Sequence, residues 1–241
     1  MDSYQAVFKR KEIKYLLTGR QLSSLTPILE SHMLPDAFAH SSILNLYYDT
    51  PDFRMIRRSL EGPKYKEKLR LRSYGVPESG SLVVPEIKKK ARGIVYKRRV
   101  GMSCGDAMAY LSRRADGGDG QIFREMDWLL ASYPDIAPRV FLSYERDSWK
   151  GAEDSSLRLT LDREILWCAR DLDLRRGAWG EPLLLPGQTL MEVKISGAAP
   201  LWLSQALSEN GIFPVSFSKY GRAYRALCEE KLFDREMRRY A

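Results

Sequence analysis

Apolar and polar residues alternate with a period of two over much of the chain. In residues 66–74, Leu69 and Leu71 fall on one side, while Lys66, Lys68, Arg70 and Arg72 fall on the other. Successive strand residues face opposite sides of a sheet, so this pattern predicts a strand with one apolar and one charged face. The same reading predicts strands over residues 7–17, 42–49, 81–90, 94–100, 139–149, 157–166 and 190–195. Helical spacing and capping residues predict helices over 18–33, 51–60, 103–114, a segment ending near Ser132, 200–209, and from Ser218 onward. Residues 170–187, rich in charge, Gly and Pro, read as loop. Short connections make most neighbouring strands antiparallel, and the class is α+β. No linker or fixed-length repeat divides the chain, which predicts one domain over residues 1–241.

The charged face recurs from strand to strand. Glu12 and Lys14 align, with Arg10 before them. Glu86, Lys88 and Lys90 share a side, as do Lys97 and Arg99 next to them. Tyr144 aligns with Arg146. Arg158, Thr160 and Asp162 face away from Leu157, Leu159 and Leu161, and Glu192 and Lys194 face away from Met191, Val193 and Ile195. An ordinary wet sheet face mixes in Ser, Thr, Asn and Gln; this one is mostly Arg, Lys and Glu. If such a sheet closes, the charged face becomes the lining of a barrel, and a polyanion with a metal ion would balance it.

Composition narrows the classes. A 44% hydrophobic content over 241 residues suits a packed core and excludes global disorder. The longest stretch without Asp, Glu, Lys or Arg, Ile195 to Ser208, has 14 residues and contains Pro200, too short and broken for a membrane span. Glu12 and Lys14 stand where a signal peptide needs an apolar run. Cys104, Cys168 and Cys228 are far apart and odd in number, so neither a disulfide framework nor a zinc site is expected. Together these predict a cytoplasmic protein.

The net charge of +8 is concentrated, because residues 64–99 alone carry 12 basic residues against three acidic ones. That field calls for an anionic partner. Arg forks and Lys ammoniums bind phosphate oxygens. Carboxylates among so many cations would repel phosphate unless they hold a hard divalent ion, Mg²⁺ or Mn²⁺, that bridges to it. Phosphoryl transfer needs mainly positioning and charge neutralisation, which such a face offers. Long nucleic acid is a poorer fit, because no aromatic stacking motif lies on the sheet face.

Several motifs now form a recognisable set. Arg10-Lys11-Glu12-Ile13-Lys14-Tyr15, Leu46-Tyr47-Tyr48-Asp49-Thr50 and Lys68-Leu69-Arg70-Leu71-Arg72-Ser73-Tyr74-Gly75 resemble the catalytic domain of the vacuolar transporter chaperone (VTC) family. So do Glu86-Ile87-Lys88-Lys89-Lys90, Val95-Tyr96-Lys97-Arg98-Arg99, Tyr144-Glu145-Arg146, Leu157 to Asp162, Leu190 to Lys194, and Phe217-Ser218-Lys219-Tyr220. They occur in the family's order and cover roughly residues 7–225.

The resemblance implies the fold of the triphosphate tunnel metalloenzymes: a closed antiparallel eight-stranded β-barrel with flanking helices. It implies a polyphosphate polymerase that transfers the γ-phosphate of ATP to a growing inorganic polyphosphate chain, with Mn²⁺ or Mg²⁺. Under it, Lys14, Arg70, Arg72, Lys88, Arg146, Arg158 and Lys194 are catalytic. Lys68, Lys90, Lys97, Arg99, Tyr144, Ser218 and Lys219 bind phosphate, and Glu192, Glu12 and Glu86 are the metal ligands. Arg10 stands where the wider superfamily opens on an acid, which argues for the polymerase branch. Two other readings use the same residues: a metal-dependent tripolyphosphatase, and a polyanion-binding module without catalysis. Tyr47, Tyr48, Asp49 and Thr50 read as core and turn, and the five tryptophans as core or partly buried.

Overall fold

A computed structural model describes residues 11–91 and 94–240, without the side chains of residues 231 and 233–240. Residues 7–10 of the first expected strand, Arg10 among them, lie outside the described residues. Among the described residues ten strands are present: β1 (Lys11–Leu17), β2 (Met33–Asp49), β3 (Tyr65–Tyr74), β4 (Leu82–Ala91), β5 (Ile94–Arg99), β6 (Met102–Ser103), β7 (Ala137–Gly151), β8 (Arg158–Cys168), β9 (Glu181–Pro182) and β10 (Thr189–Ile195). The helices are α1 (Gly19–His32), α2 (Arg54–Leu60), α3 (Cys104–Leu111), α4 (Gln121–Ser132), α5 (Leu201–Glu209) and α6 (Lys219–Tyr240). The α+β class is as expected. No described helix is long and apolar enough to cross a membrane.

The closed eight-stranded barrel is corrected. Ten strands form a sheet of order β1-β10-β8-β7-β2-β3-β4-β5, with β6 on β4 and β9 on β8. Among the described residues no hydrogen-bonded pairing joins the two ends of that order. Alternation fixes which face of a strand is apolar, but not which backbone edges meet. The extra strands, β6 and β9, are two residues each, too short to show any periodicity.

β2 is also longer than expected, 17 residues beginning at Met33. Its first half is mostly exposed and contains Pro35, Asp36 and His40, so no apolar alternation announced it.

The chain divides into two compact units. One comprises residues through Ser41 with Tyr144–Ile165 and Leu184–Phe217. Its core packs the inner residues of β1, β8 and β10 (Tyr15, Leu159, Leu161, Met191, Val193) against Leu25 and Leu29 of α1 and Leu203 and Leu207 of α5. Thr18 and Gln21 form a reciprocal capping box that starts α1.

The other unit comprises Ser42–Ser143, Leu166–Leu183 and the chain from Ser218. Leu44, Leu46, Leu69, Leu71, Val83 and Ile87 of β2–β4 form its core with Ala107, Tyr110 and Leu111 of α3 and Met126, Leu129 and Leu130 of α4. Asp49 is fully buried and starts α2 by accepting from the Met55 and Ile56 amides, at 2.9 and 3.0 Å. The expected core-and-turn role of Tyr48, Asp49 and Thr50 is therefore seen. Trp128 departs from expectation: it is 60% exposed, because α4 turns this position away from the core.

Candidate phosphate-binding and metal sites

Each unit holds its own cluster of charged strand residues, opposite its apolar core. In the first unit, antiparallel register sets Lys14 opposite Glu192 and Glu12 opposite Lys194. On the other side of β10, Glu192 lies opposite Thr160 and Lys194 opposite Arg158. The Lys14 ammonium sits 3.4 Å from Glu12 and 3.2 Å from Glu192. Arg146 donates two parallel hydrogen bonds to Asp162, 2.6 and 2.7 Å, and reaches Glu192 at 3.7 Å. Asp162 is completely buried and Glu192 is 7% exposed. The Tyr144 ring lies under the Arg146 guanidinium, 5.2 Å away. Arg158 is held by Asp36 at 2.5 Å, and Lys194 stands 4.0 Å from Glu192.

The electrostatics follow from burial and pairing. Burial works against the Arg146 charge, but Tyr144, Asp162 and Glu192 together raise its pKa, so it stays a cation. Burial lowers the Lys194 pKa, against the upward pull of Glu192.

In the second unit the register makes rows across three strands. Lys68 of β3 faces Lys88 of β4, which faces Lys97 of β5. The adjacent row on the same face runs Arg70, Glu86, Arg99. Lys66 faces Lys90, and Lys66 donates to the Ser59 carbonyl at 3.3 Å. Glu86, only 1% exposed, takes Arg70 on one oxygen at 2.5 Å and Lys97 on the other at 2.7 Å. Desolvation opposes ionisation of Glu86, but Arg70, Lys97 and Arg72 outweigh it and lower its pKa. Arg72 is buried and donates to Asn45 at 2.9 Å. Arg70 also donates to the Tyr47 hydroxyl at 3.2 Å.

Ser218 caps α6 by accepting from the Gly221 amide, 3.1 Å, and it accepts from Lys68 at the same distance. Lys219 is buried in the first turn of α6. A helix start of this kind presents amide N–H groups and positive potential.

Lys97 supplies a pH test. Burial pushes its ammonium down to about 8, against the pull of Glu86, though solvent reaches 42% of the side chain and tempers the shift. Lys97 is therefore mostly charged at pH 7 and loses charge as pH rises through about 8 and above. A phosphate that binds beside it favours the charged form, so binding takes up a proton. Tripolyphosphate affinity, measured by calorimetry, is expected to fall as pH rises from 7 to 9, by at most about tenfold per unit. Lys97→Arg, always charged, is expected to flatten that fall.

The structure thus brings Lys14, Arg146, Arg158, Lys194, Tyr144, Glu12 and Glu192 together in one unit. It brings Lys68, Arg70, Arg72, Lys88, Lys90, Lys97, Arg99, Glu86, Ser218 and Lys219 together in the other. Sequence reasoning placed Asp162 on the charged face without giving it a role, and missed the other groups that fix these cations: Asp36, Asn45 and Tyr47. Asn45 and Tyr47 alternate with Leu44, Leu46 and Tyr48, and that period-two signal would have placed them on the charged face.

A metal is less fully provided for. Among the described residues no group of three or more His, Cys, Asp or Glu is arranged to hold an ion. Glu12 and Glu192 do converge on one cation, the Lys14 ammonium. Two carboxylates suit Mg²⁺ or Mn²⁺ when substrate phosphates supply the remaining oxygens.

These charged faces lie on an antiparallel sheet with helices, a sheet not closed by hydrogen bonds among the described residues. The VTC domain profile matches residues 9–228, and the chain belongs to the VTC domain family. Among solved structures it resembles a Hippeastrum protein described as a candidate adenylyl cyclase that reveals a dominant triphosphatase activity: 17% identity, TM-score 0.55, covering 89% of this chain and 95% of that one. It also resembles a Bacillus halodurans protein described as a candidate adenylate cyclase: 15% identity, TM-score 0.53, covering 87% and 95%. At these identities the likeness is one of fold. A comparison with curated proteins finds no match.

Proposed function

We propose that the protein is a polyphosphate polymerase, which moves the γ-phosphoryl group of ATP onto the end of an inorganic polyphosphate chain. The observation that carries this reading is the row Lys68–Lys88–Lys97, three lysines whose backbones are in direct cross-strand register. Like charges placed directly opposite one another destabilise a sheet. A linear polyanion laid along the row relieves that repulsion, and a phosphate chain is the linear polyanion that family membership favours.

Phosphoryl transfer asks the protein for positioning and neutralisation more than for covalent chemistry. Arg146, fixed in orientation by Asp162, presents its remaining edge to phosphate oxygens in the first unit. Arg70 and Arg72, fixed by Glu86, Tyr47 and Asn45, do the same in the second. Lys14 and Lys194 orient the donor or acceptor phosphate. Glu12 and Glu192 would hold Mg²⁺ or Mn²⁺, which supplies further neutralisation of phosphate charge. Glu86, with a cation on each oxygen, orders Arg70 and Lys97 instead.

The acceptor is the terminal phosphate of the chain, already ionised at neutral pH, so no general base is required. The two histidines are engaged elsewhere: His32 stacks on Trp202 at 4.4 Å, and His40 contacts Asp147 and Glu145 at 2.9 and 3.2 Å. The test is gel electrophoresis of the products of purified protein, ATP and Mn²⁺. Chains longer than triphosphate are expected. Orthophosphate alone from ATP or tripolyphosphate would make the protein a tripolyphosphatase, and tight polyanion binding without turnover would make it a binding module.

A further inference from the structure

Thr160 sits in the first unit on β8, between Arg158 and Asp162. Its neighbours Leu159 and Leu161 enter the apolar core, so alternation turns Thr160 to the charged face. The register puts it directly opposite Glu192, and directly opposed side chains have Cβ atoms about 4.5–5.5 Å apart. The residue is 8% exposed, and its hydroxyl has no hydrogen-bond partner among the described residues.

That is an unusual arrangement. Buried hydroxyls are nearly always hydrogen-bonded, because an unpaired one forfeits its hydration with nothing in return. Strong acceptors and donors surround this one. Yet Asp162 spends both oxygens on Arg146, and Glu192 is drawn towards Lys14 and Arg146. Valine has nearly the same shape without the hydroxyl, so packing alone does not account for a threonine.

We propose that the Thr160 hydroxyl is a contact for the bound phosphate chain, donating its proton to a phosphate oxygen beside Glu192. This rests on the phosphate-binding part of the proposed function and does not require chain synthesis. The contact is neutral, so it adds no charge to a field already crowded with cations. It supplies a fixed donor at a depth where a flexible lysine would have to be desolvated. A hydroxyl donating to an ionised oxygen makes a short, strong hydrogen bond.

The proposal predicts a pattern that a merely structural threonine cannot give. Thr160→Val removes no hydrogen bond from the free protein and takes an unpaired polar group out of a buried place. The melting temperature of the variant, without ligand, should equal or exceed that of the wild type. Its affinity for tripolyphosphate, measured by calorimetry without metal, should fall about tenfold. Thr160→Ser keeps the hydroxyl and should bind within about twofold of the wild type. A Thr160→Val variant that binds as tightly as the wild type overturns the inference. So does one that melts lower, since the hydroxyl then has a partner in the free protein. Wild-type protein that binds tripolyphosphate but makes no chains from ATP refutes the polymerase reading alone. Wild-type protein that does not bind tripolyphosphate overturns the Thr160 contact as well.

Discussion

Arg146→Ala is expected to lose both stability and phosphoryl transfer. Removing the guanidinium leaves Asp162 completely buried with its forked partner gone, and breaking a buried ion pair from one side costs about 3–5 kcal/mol. For a chain of this size that lowers the melting temperature by on the order of 10 °C. The two effects can be separated. Replacing both partners by apolar residues of similar volume, Arg146→Met with Asp162→Leu, removes the uncompensated charge and should restore most of the stability. It should not restore turnover, because the phosphate-facing edge of the guanidinium is still missing. Arg146→Lys keeps the charge but not the fork, and should fall between the two. Thermal melts and turnover of ATP on the same preparations check this. A double variant with recovered activity would show that Arg146 serves the fold alone.

Glu192→Gln should separate metal use from phosphate binding. The carboxylate is 7% exposed, with Lys14 at 3.2 Å and Arg146 at 3.7 Å. As a carboxylate it repels phosphate unless a divalent ion lies between them. The amide keeps the shape and an acceptor oxygen but removes the negative charge. Metal-free binding of tripolyphosphate should therefore tighten, by severalfold. Turnover in Mn²⁺ or Mg²⁺ should drop by roughly 100-fold, since the ion's neutralisation is worth several kcal/mol at the transition state. A parallel loss of binding and turnover would assign Glu192 to ordering Lys14 and Arg146, with no part in holding an ion.

Much of this was legible in the sequence because the signal is local. Leu69 and Leu71 enter the core while Lys68, Arg70 and Arg72 face the other way, and each strand states this for itself. Even Glu67 obeys the alternation. It lies on the apolar side of β3, where the hydroxyls of Tyr133 and Tyr65 donate to it at 2.9 and 2.7 Å. What was not legible depends on residues far apart in the chain. Arg72 is met by Asn45 and Arg158 by Asp36, separations of 27 and 122 residues, and no local period encodes such pairs. The ends of the sheet belong to the same category. β1 and β5 each read correctly as strands, but whether their edges meet is a property of sheet curvature and register over the whole path. The polar start of β2 failed for the opposite reason, since a solvated strand without an apolar face leaves no pattern to read.

The central claim is that the charged strand faces transfer phosphate from ATP to phosphate. Phosphorus NMR of purified protein with ATP and Mn²⁺ follows every phosphorus at once. The account predicts that the γ-phosphate signal of ATP declines while signals of phosphates bonded on both sides within a chain appear and grow, with ADP as the second product. Growth of orthophosphate in their place, with no such chain signal under any divalent ion, would contradict it.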